Sequence, residues 1–394
     1  MVFSIFNLIK NLNKNLKILF LGRFFGNIIF FTLIPFLAFY LDSFTLNTKE
    51  IGDFLIYRSI FYILGLFIGG SICEIFNKKK FVFILLLIIS FLYFLLSFNN
   101  NYNVFFYVLL TIGFLSGLIF GSENVILIES TNNENRAEIF SFLNIILNIT
   151  ATISPPLTTN IFLNNKNLAF FIFGLLNMLY SFLFLMINYD NSKIIKKNLK
   201  DELLLYLNIF KDFKFILIFF SFILSSICYC FITTTLPLIL KKIYLNPQNI
   251  FGIIMMINTI IVIILQFPMS KIIKKIGNIK SVIFSQFIVF SFFIIIKNID
   301  NIYFLYFSIF ILSIGEIFKS ISENLIIIDN FEKEKIGEYT SLYKICNLIS
   351  IPISTFIGTY CIIKNNINTC FLIFSTISLL SLLIIYIFKI SNKN

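Results

Sequence analysis

Apolar residues run along this chain in blocks of about 20, each long enough to cross the hydrocarbon core of a bilayer as a helix. In lipid every backbone N–H and C=O must be satisfied within the segment, which selects helices for such blocks. Twelve are legible, at roughly 17–41, 50–73, 81–98, 104–128, 137–162, 167–188, 215–240, 250–270, 281–297, 302–328, 337–362 and 368–388. The polar interruptions are short except one, YDNSKIIKKNLKDELLLYLNIFKDFK at 189–214, which divides the blocks six and six. Its LLLYLNIF stretch predicts a short amphipathic helix lying along the membrane surface.

Composition strengthens this picture. Hydrophobic residues make up 58% of the 394, Phe numbers 54, mean hydropathy is +0.94 and charged residues are 13%. That charged share is about half of what globular proteins carry, too little polar surface to cover such a chain in water. The richness in Ile, Phe, Asn and Lys, with no Trp or His, also fits an AT-rich genome, so in comparing segments only polar letters carry weight.

A net charge of +12 raises nucleic acid as a partner, but the distribution of the charge argues for a membrane instead. One side of the predicted layer takes Lys10, Lys14, Lys17, Lys78 to Lys80, Arg136, the six lysines of 189–214, Lys271, Lys274, Lys275, Lys280, Lys333, Lys335, Lys389 and Lys393. The other takes Lys49, Lys166, Lys241, Lys242, Lys297 and Lys364. Basic loops stay in the cytoplasm, which places both termini there, as an even number of crossings requires. The first 16 residues, broken by lysines and asparagines and followed by no small-residue cleavage site, read as a cytoplasmic tail. Six cysteines without a CxxC pair, and no His, point to no metal and no cofactor.

Residues 122–129 read SENVILIE and residues 322–329 read SENLIIID. The same offset pairs Glu134 with Glu334, Glu138 with Glu338 and Ser141 with Ser341. The phrases close the fourth and tenth blocks, so the chain is two six-helix repeats of parallel topology. Internal repeats of this kind are a transporter signature, with the substrate site near the midplane.

The segment after the second block, GGSICEIFNKKK, resembles the cytoplasmic signature Gly-x-x-x-Asp-Arg-x-Gly-Arg-Lys of the major facilitator superfamily. Gly70 takes the first glycine and Glu74 the acid, Ile75 replaces the arginine, Asn77 the second glycine, and Lys78 and Lys79 form the basic pair. SKIIKKIGNIK carries a fainter copy, with Ser270, Lys274, Lys275 and Gly277 in the first four places, Asn278 and Ile279 in the basic pair, and Lys280 one place late. The resemblance implies an all-α membrane protein of twelve transmembrane helices in two pseudo-symmetric bundles, 1–188 and 215–394, joined by 189–214. It also implies a cytoplasmic gate in which Lys78 or Lys79 meets Glu129 or Glu123, with Asp329 and Glu323 served by Lys275 or Lys280. The fifth block, ending SPPLTTN, is similar to the spaced-glycine segment of the drug:proton antiporter branch. Ser141, Thr150, Ser154, Thr158 and Thr159 stand in the glycine places and Pro155 is kept, which implies export.

Charges inside spans cost roughly 2.5–3.5 kcal/mol each unless paired or wet. Glu316, Lys319 and Glu323 share one face of the tenth span, and Glu316, near its middle, is the first candidate for proton coupling unless Lys319 neutralises it. Glu123 and Glu323 suit either proton binding or the gate. Arg23 suits an anionic group or an acid partner, or snorkels. Arg58 either functions inside the membrane or snorkels, and Lys344 either meets Glu323 or Glu316 or snorkels. Asn27, Thr32 and Tyr40 in the first span, Asn144 and Asn148 in the fifth, and Tyr229 and Thr233 to Thr235 in the seventh suggest the walls of an aromatic cavity, or ordinary interhelical bonds. The expectation is a monomeric secondary transporter in a bacterial plasma membrane. It would exchange small amphipathic solutes for protons, with nutrient uptake or a transport-silent scaffold as alternatives, and no nucleophile–base pair or cofactor loop marks it as an enzyme.

Overall fold

A computed structural model describes residues 14–75, 77–130, 136–187, 209–331 and 336–391. Among the described residues, twelve long helices occupy the positions of the twelve blocks: α1 Lys14–Leu33, α2 Thr48–Ile75, α3 Lys78–Phe98, α4 Tyr102–Glu129, α5 Arg136–Leu157, α6 Lys166–Phe184, α7 Phe213–Thr234, α8 Pro247–Ile276, α9 Asn278–Ile295, α10 Ile302–Asn330, α11 Ile336–Ile363 and α12 Ile367–Ser391. Among the described residues, eleven of these helices are long and apolar enough to cross a membrane. The N-terminal tail to residue 13 and the surface helix expected within 189–214, up to residue 208, lie outside the described residues.

The asparagine-rich joints serve as helix caps. A side-chain oxygen at the position before a helix satisfies an orphan N–H of its first turn. Asn165 caps α6 through the N–H of Leu168 at 3.0 Å, and Asn301 caps α10 through that of Tyr303 at 3.0 Å. Asn47 and Glu50 form a reciprocal box at the start of α2, each side chain accepting from the other's backbone at 2.9 Å. Proline ends the leading helix of each half. Pro35 interrupts α1 before a short helix Leu37–Tyr40, and Pro237 stands in the first turn of the short helix Leu236–Ile243 that follows α7.

The chain forms two compact units, one of Met1–Tyr40 with Tyr57–Lys197, the other of Leu41–Ile56 with Asn198–Asn394. In the first, α1 packs on α5 and α6, and α3 on α4 and α6. Each pairing recurs in the second unit six helices later, as α7 on α11 and α12, and α9 on α10 and α12. The cores repeat too. Tyr93 of α3 meets Phe173 of α6 at 5.7 Å between ring centroids, and Phe293 of α9 meets Phe374 of α12 at 5.3 Å. Large apolar side chains are also turned outward along the helices, among them Phe91, Phe182, Phe267, Phe287, Phe356 and Leu383. Lipid, not water, is the medium that stabilises such a surface.

The first segment of the second unit is held by the pair Asp42–Lys241 and by Gly52, which sits against the Thr359 side chain. In the first unit α2 and α4 cross with their backbones nearly touching. A methyl group on Gly65 would strike the Phe114 carbonyl, one on Gly69 the backbone of Leu118, and one on Gly117 the Tyr62 carbonyl. Two Gly-x-x-x-Gly pairs, 65/69 and 113/117, face each other across this crossing.

Candidate functional site

Polar side chains gather inside each unit, and the two clusters are built differently. In the second unit, α10 presents its charged face inward. Lys319 donates to Ser226 Oγ of α7 at 3.0 Å and to Asn347 Oδ1 of α11 at 3.4 Å, and its Nζ lies 3.4 Å from Glu323 Oε2, one turn on. Its ammonium also stands 5.1 Å from the centre of the Tyr229 ring, close enough for a cation–π contribution. Glu323 is fully buried, with Tyr343 and Ser225 beside it, yet neither of its oxygens completes a well-formed hydrogen bond. Tyr229 reaches Ser285 of α9 at 3.0 Å, and Ser285 donates to the Gly315 carbonyl at 2.8 Å. Gly315 has to be small, since a methyl group there would crowd the Tyr229 hydroxyl and Ile288.

Glu316 stands apart from this cluster. Its Oε2 accepts from Asn258 Nδ2 of α8 at 2.8 Å, and the same amide donates to Ser313 Oγ at 3.1 Å. Among the described residues no ion pair involves Glu316: the ammonium three residues on belongs to Glu323. Lys319 acts on Glu316 only through space, its ion pair being with Glu323. Lys344 is exposed on α11, and Lys319 is the cation that meets Glu323.

In the first unit the acid is Glu123 of α4. Arg23 of α1 lies 3.3 Å from its Oε2 through Nε, donates to Asn124 Oδ1 at 2.8 Å through Nη2, and stacks over Phe120 at 4.4 Å. Tyr180 of α6 donates to Glu123 Oε1 at 2.6 Å. The phenol lies where a side chain on residue 22 would be, so Gly22 admits it. Arg23 thus meets an acid, Glu123, within its own unit. Arg58 lies on α2 beside Tyr62 and Tyr93, with its Nε buried and unbonded.

The remaining candidates divide. Thr32 is fully buried where α1 meets α5 and donates to the Ile28 carbonyl at 2.7 Å, which is a packing position, not a wall. Ser154 of α5 and Thr158, just beyond its end, reach the Ile28 and Thr32 carbonyls at 3.5 and 3.3 Å. In the second unit Ser354, 200 residues after Ser154, takes the equivalent place beside Thr234 and Thr235. Thr233 donates to the Cys230 carbonyl at 3.2 Å, and Asn27 and Asn148 are half-buried. Of the gate residues, Gly70 lies near the end of α2, Lys78 is buried in the first turn of α3 and Lys79 is half-buried there. The side chains of Glu74, Glu129 and Asn144 lie outside the described residues. Asp329 is exposed and takes a 2.6 Å bond from Asn278, so the neutral residue in the signature's basic place serves the acid that a lysine was expected to serve.

Sequence reasoning missed Tyr180, Gly22, Asn258, Ser226 and Asn347. Asn258 alone left a usable signal, a lone amide within the apolar run IIMMINTIIVIIL.

Two repeats of membrane-length helices with ionisable side chains turned inward define a class, the polytopic solute carriers. The chain matches the Major Facilitator Superfamily over residues 19–355 and again over 218–393, and it belongs to that superfamily. Its fold is shared by solved structures of low sequence identity. A POT family transporter in complex with 5-aminolevulinic acid is 14% identical, with 96% of this chain and 98% of that one covered at a TM-score of 0.78. A mutant of the nucleoside transporter NupG is 15% identical, with 95% and 100% covered at 0.76. The peptide transporter POT in complex with sulfate is 16% identical, with 95% and 93% covered at 0.75. A comparison with curated proteins found no match.

Proposed function

We propose that this chain is a proton-coupled secondary transporter of small organic solutes, with Glu316 as the group that takes up and releases the proton. The observation that carries the reading is the setting of Glu316. It sits in the middle of α10, half-buried and hydrogen-bonded to one neutral amide, while Lys319 one turn on makes its ion pair with Glu323. An ionised carboxylate at that depth costs roughly 2.5–3.5 kcal/mol on insertion scales, and binding a proton removes the charge. Asn258 can donate to either form of the carboxyl, so the contact survives the change of charge. The three solute transporters of like fold support small polar molecules as the cargo. Export is the second reading, favoured by α5: Ser154 and Thr158 pack directly on α1 carbonyls, the close approach that glycines provide in the drug:proton antiporter branch.

The test uses purified protein in liposomes with a solute panel and an imposed pH gradient. Accumulation that collapses on adding a protonophore, and that Glu316→Gln abolishes while leaving exchange at equal pH intact, is the expected result. Gradient-driven accumulation that survives Glu316→Gln removes this residue from the coupling role. Accumulation against efflux in the same vesicles decides between uptake and export.

A further inference from the structure

We infer that Cys361 and Cys370 are joined by a disulfide bond at the outer end of the hairpin formed by α11 and α12. The bond is independent of what the chain carries and of Glu316.

Residues 364–366 link α11 to α12, and hydrogen bonds fix the shape of this turn. The Asn366 N–H donates to the Cys361 carbonyl at 3.1 Å, and the Asn365 N–H to the Ile362 carbonyl at 3.1 Å. Asn365 is left-handed, with φ 53°. This is the Schellman closure of a helix, and asparagine is among the few residues that accept the left-handed place. Asn366 then caps α12. Its side chain accepts from the Thr369 N–H at 3.0 Å and its carbonyl from the Cys370 N–H at 3.3 Å. Both cysteines are thus one backbone hydrogen bond away from the same residue. Cys361 stands two residues before the end of α11, and Cys370 three after the start of α12. At 1.5 Å per residue both lie about 3–5 Å inside their helix ends, at one level of the hairpin. Lys242 holds the turn from the side, donating to the Ile362 carbonyl and to Asn365 Oδ1 at 2.8 Å each.

At that level the two side chains meet. Each thiol lies within hydrogen-bonding reach of the other, and both are buried. Three other thiols have backbone partners instead. Cys228 donates to the Phe374 carbonyl at 3.4 Å, Cys346 to that of Leu342 at 3.5 Å and Cys230 to that of Asn347 at 4.0 Å. Those contacts suit a small buried hydrophobe with a weak donor. A bridge needs side chains that point at one another, and those of Cys361 and Cys370 do.

The turn carries one lysine, Lys364, whereas Lys333 and Lys335 precede α11 and Lys389 and Lys393 stand at the end of α12 and beyond. Basic loops mark the cytoplasmic side, so the turn faces outward. Outside the plasma membrane the medium is oxidising, while cytoplasmic thiols are kept reduced. Bond formation takes one hydrogen from each thiol. The electron pair passes to the disulfide of a thiol oxidant in that compartment, which leaves as a dithiol, by way of a mixed disulfide with one of the two cysteines. Because both sulfurs are buried in the folded chain, this exchange precedes the final packing of the hairpin.

The test reads the thiol state in cells that make the full chain. Cells are quenched in trichloroacetic acid and free thiols are blocked with N-ethylmaleimide in denaturant. Disulfides are then reduced, the released thiols take a deuterated maleimide, and peptide mass spectrometry reads each cysteine. Most chains should carry the deuterated label at Cys361 and Cys370 and the light label at Cys228, Cys230 and Cys346. An unreduced digest should contain the linked peptide. Light label at both Cys361 and Cys370 in most chains overturns the inference. In Cys361→Ser, Cys370 should switch to the light label. Deuterated label that persists there means a different partner and overturns it as well. The parent chain decides by itself should that variant fail to fold. None of these readouts involves transport or a proton gradient, so failure of the coupling reading leaves them intact, and a reduced pair leaves Glu316-dependent transport untouched.

Discussion

Arg23, Glu123 and Tyr180 come from three helices and meet in one buried place, so each bears a different share of the same carboxylate. Removing the phenol leaves the ion pair, and a hydrogen bond to a charged group contributes about 1.5–3 kcal/mol. Removing the arginine leaves a buried charge with one hydroxyl, and breaking a buried pair this way costs about 3–5 kcal/mol. Replacing both charged partners with leucine leaves no uncompensated charge and is often near neutral. Thermal unfolding should therefore rank Arg23→Gln below Tyr180→Phe, with Arg23→Leu/Glu123→Leu close to the parent. If the double variant falls as far as Arg23→Gln, the pair is held for more than charge balance. The same logic separates Glu316 from Glu323. Lys319 already accompanies Glu323, so Glu323→Gln strands an ammonium, whereas Glu316→Gln keeps a group that can still bond Asn258.

At the scale of the helices, the crossing of α2 and α4 is the element most exposed to a single change. Its backbone contacts at Gly65, Gly69 and Gly117 leave no space for a side chain. Gly117→Leu should force the helices apart at a cost of about 1–3 kcal/mol or more, since the obstacle is the Tyr62 carbonyl and cannot rotate away. Gly26→Ala is the control. Nothing lies within 4 Å of a methyl group there, and exchange of glycine for alanine in a helix favours folding by up to about 1 kcal/mol. The two variants should move Tm in opposite directions, and equal effects would mean that the crossing tolerates separation. This element also shows where the sequence could be read and where it could not. The blocks themselves were plain, because lipid imposes one length and one composition. The glycines recur at four-residue spacing in both spans, a pattern the sequence analysis did not draw on, and such spacing names a sticky face and not the helix it meets. Asn258 and Glu316 were visible for the same reason, and their contact was not: it depends on how α8 lies on α10. Asn278 misled because charge was sought where an amide could serve, and the 2.6 Å bond to Asp329 needs only a donor.

For the whole molecule, the offset of 200 residues links Ser154 with Ser354, Tyr93 with Phe293 and Glu123 with Glu323, so duplication left packing, core and buried acids in register. What it did not keep is the cation. Arg23 on α1 serves the first acid, and Lys319, on the same helix as the second acid, serves the other. Where the first repeat has Lys319's place it carries Ile119. The repeats share a scaffold and have divided their electrostatics, with the cation of the first acid on another helix and that of the second on the same one. An arrangement of six helices per repeat requires α5 to cross the bilayer. The hydroxyls of α5 are satisfied inside the bundle. Thr150 bonds the Ile146 carbonyl, Thr158 that of Ser154, and both Ser154 and Thr158 reach α1, so little polarity is left facing lipid. Crossing has a measurable consequence: Ser130, just after α4, and Asn164, between α5 and α6, must lie on opposite faces. In a cysteine-free background, Asn164→Cys should react with a membrane-impermeant maleimide in intact cells. Ser130→Cys should react only after permeabilisation, because the basic loops near it mark the cytoplasmic side. Reaction of both from the same side would leave an odd number of crossings, put the termini on opposite faces, and break the parallel six-plus-six arrangement on which the equivalence of Glu123 and Glu323 rests.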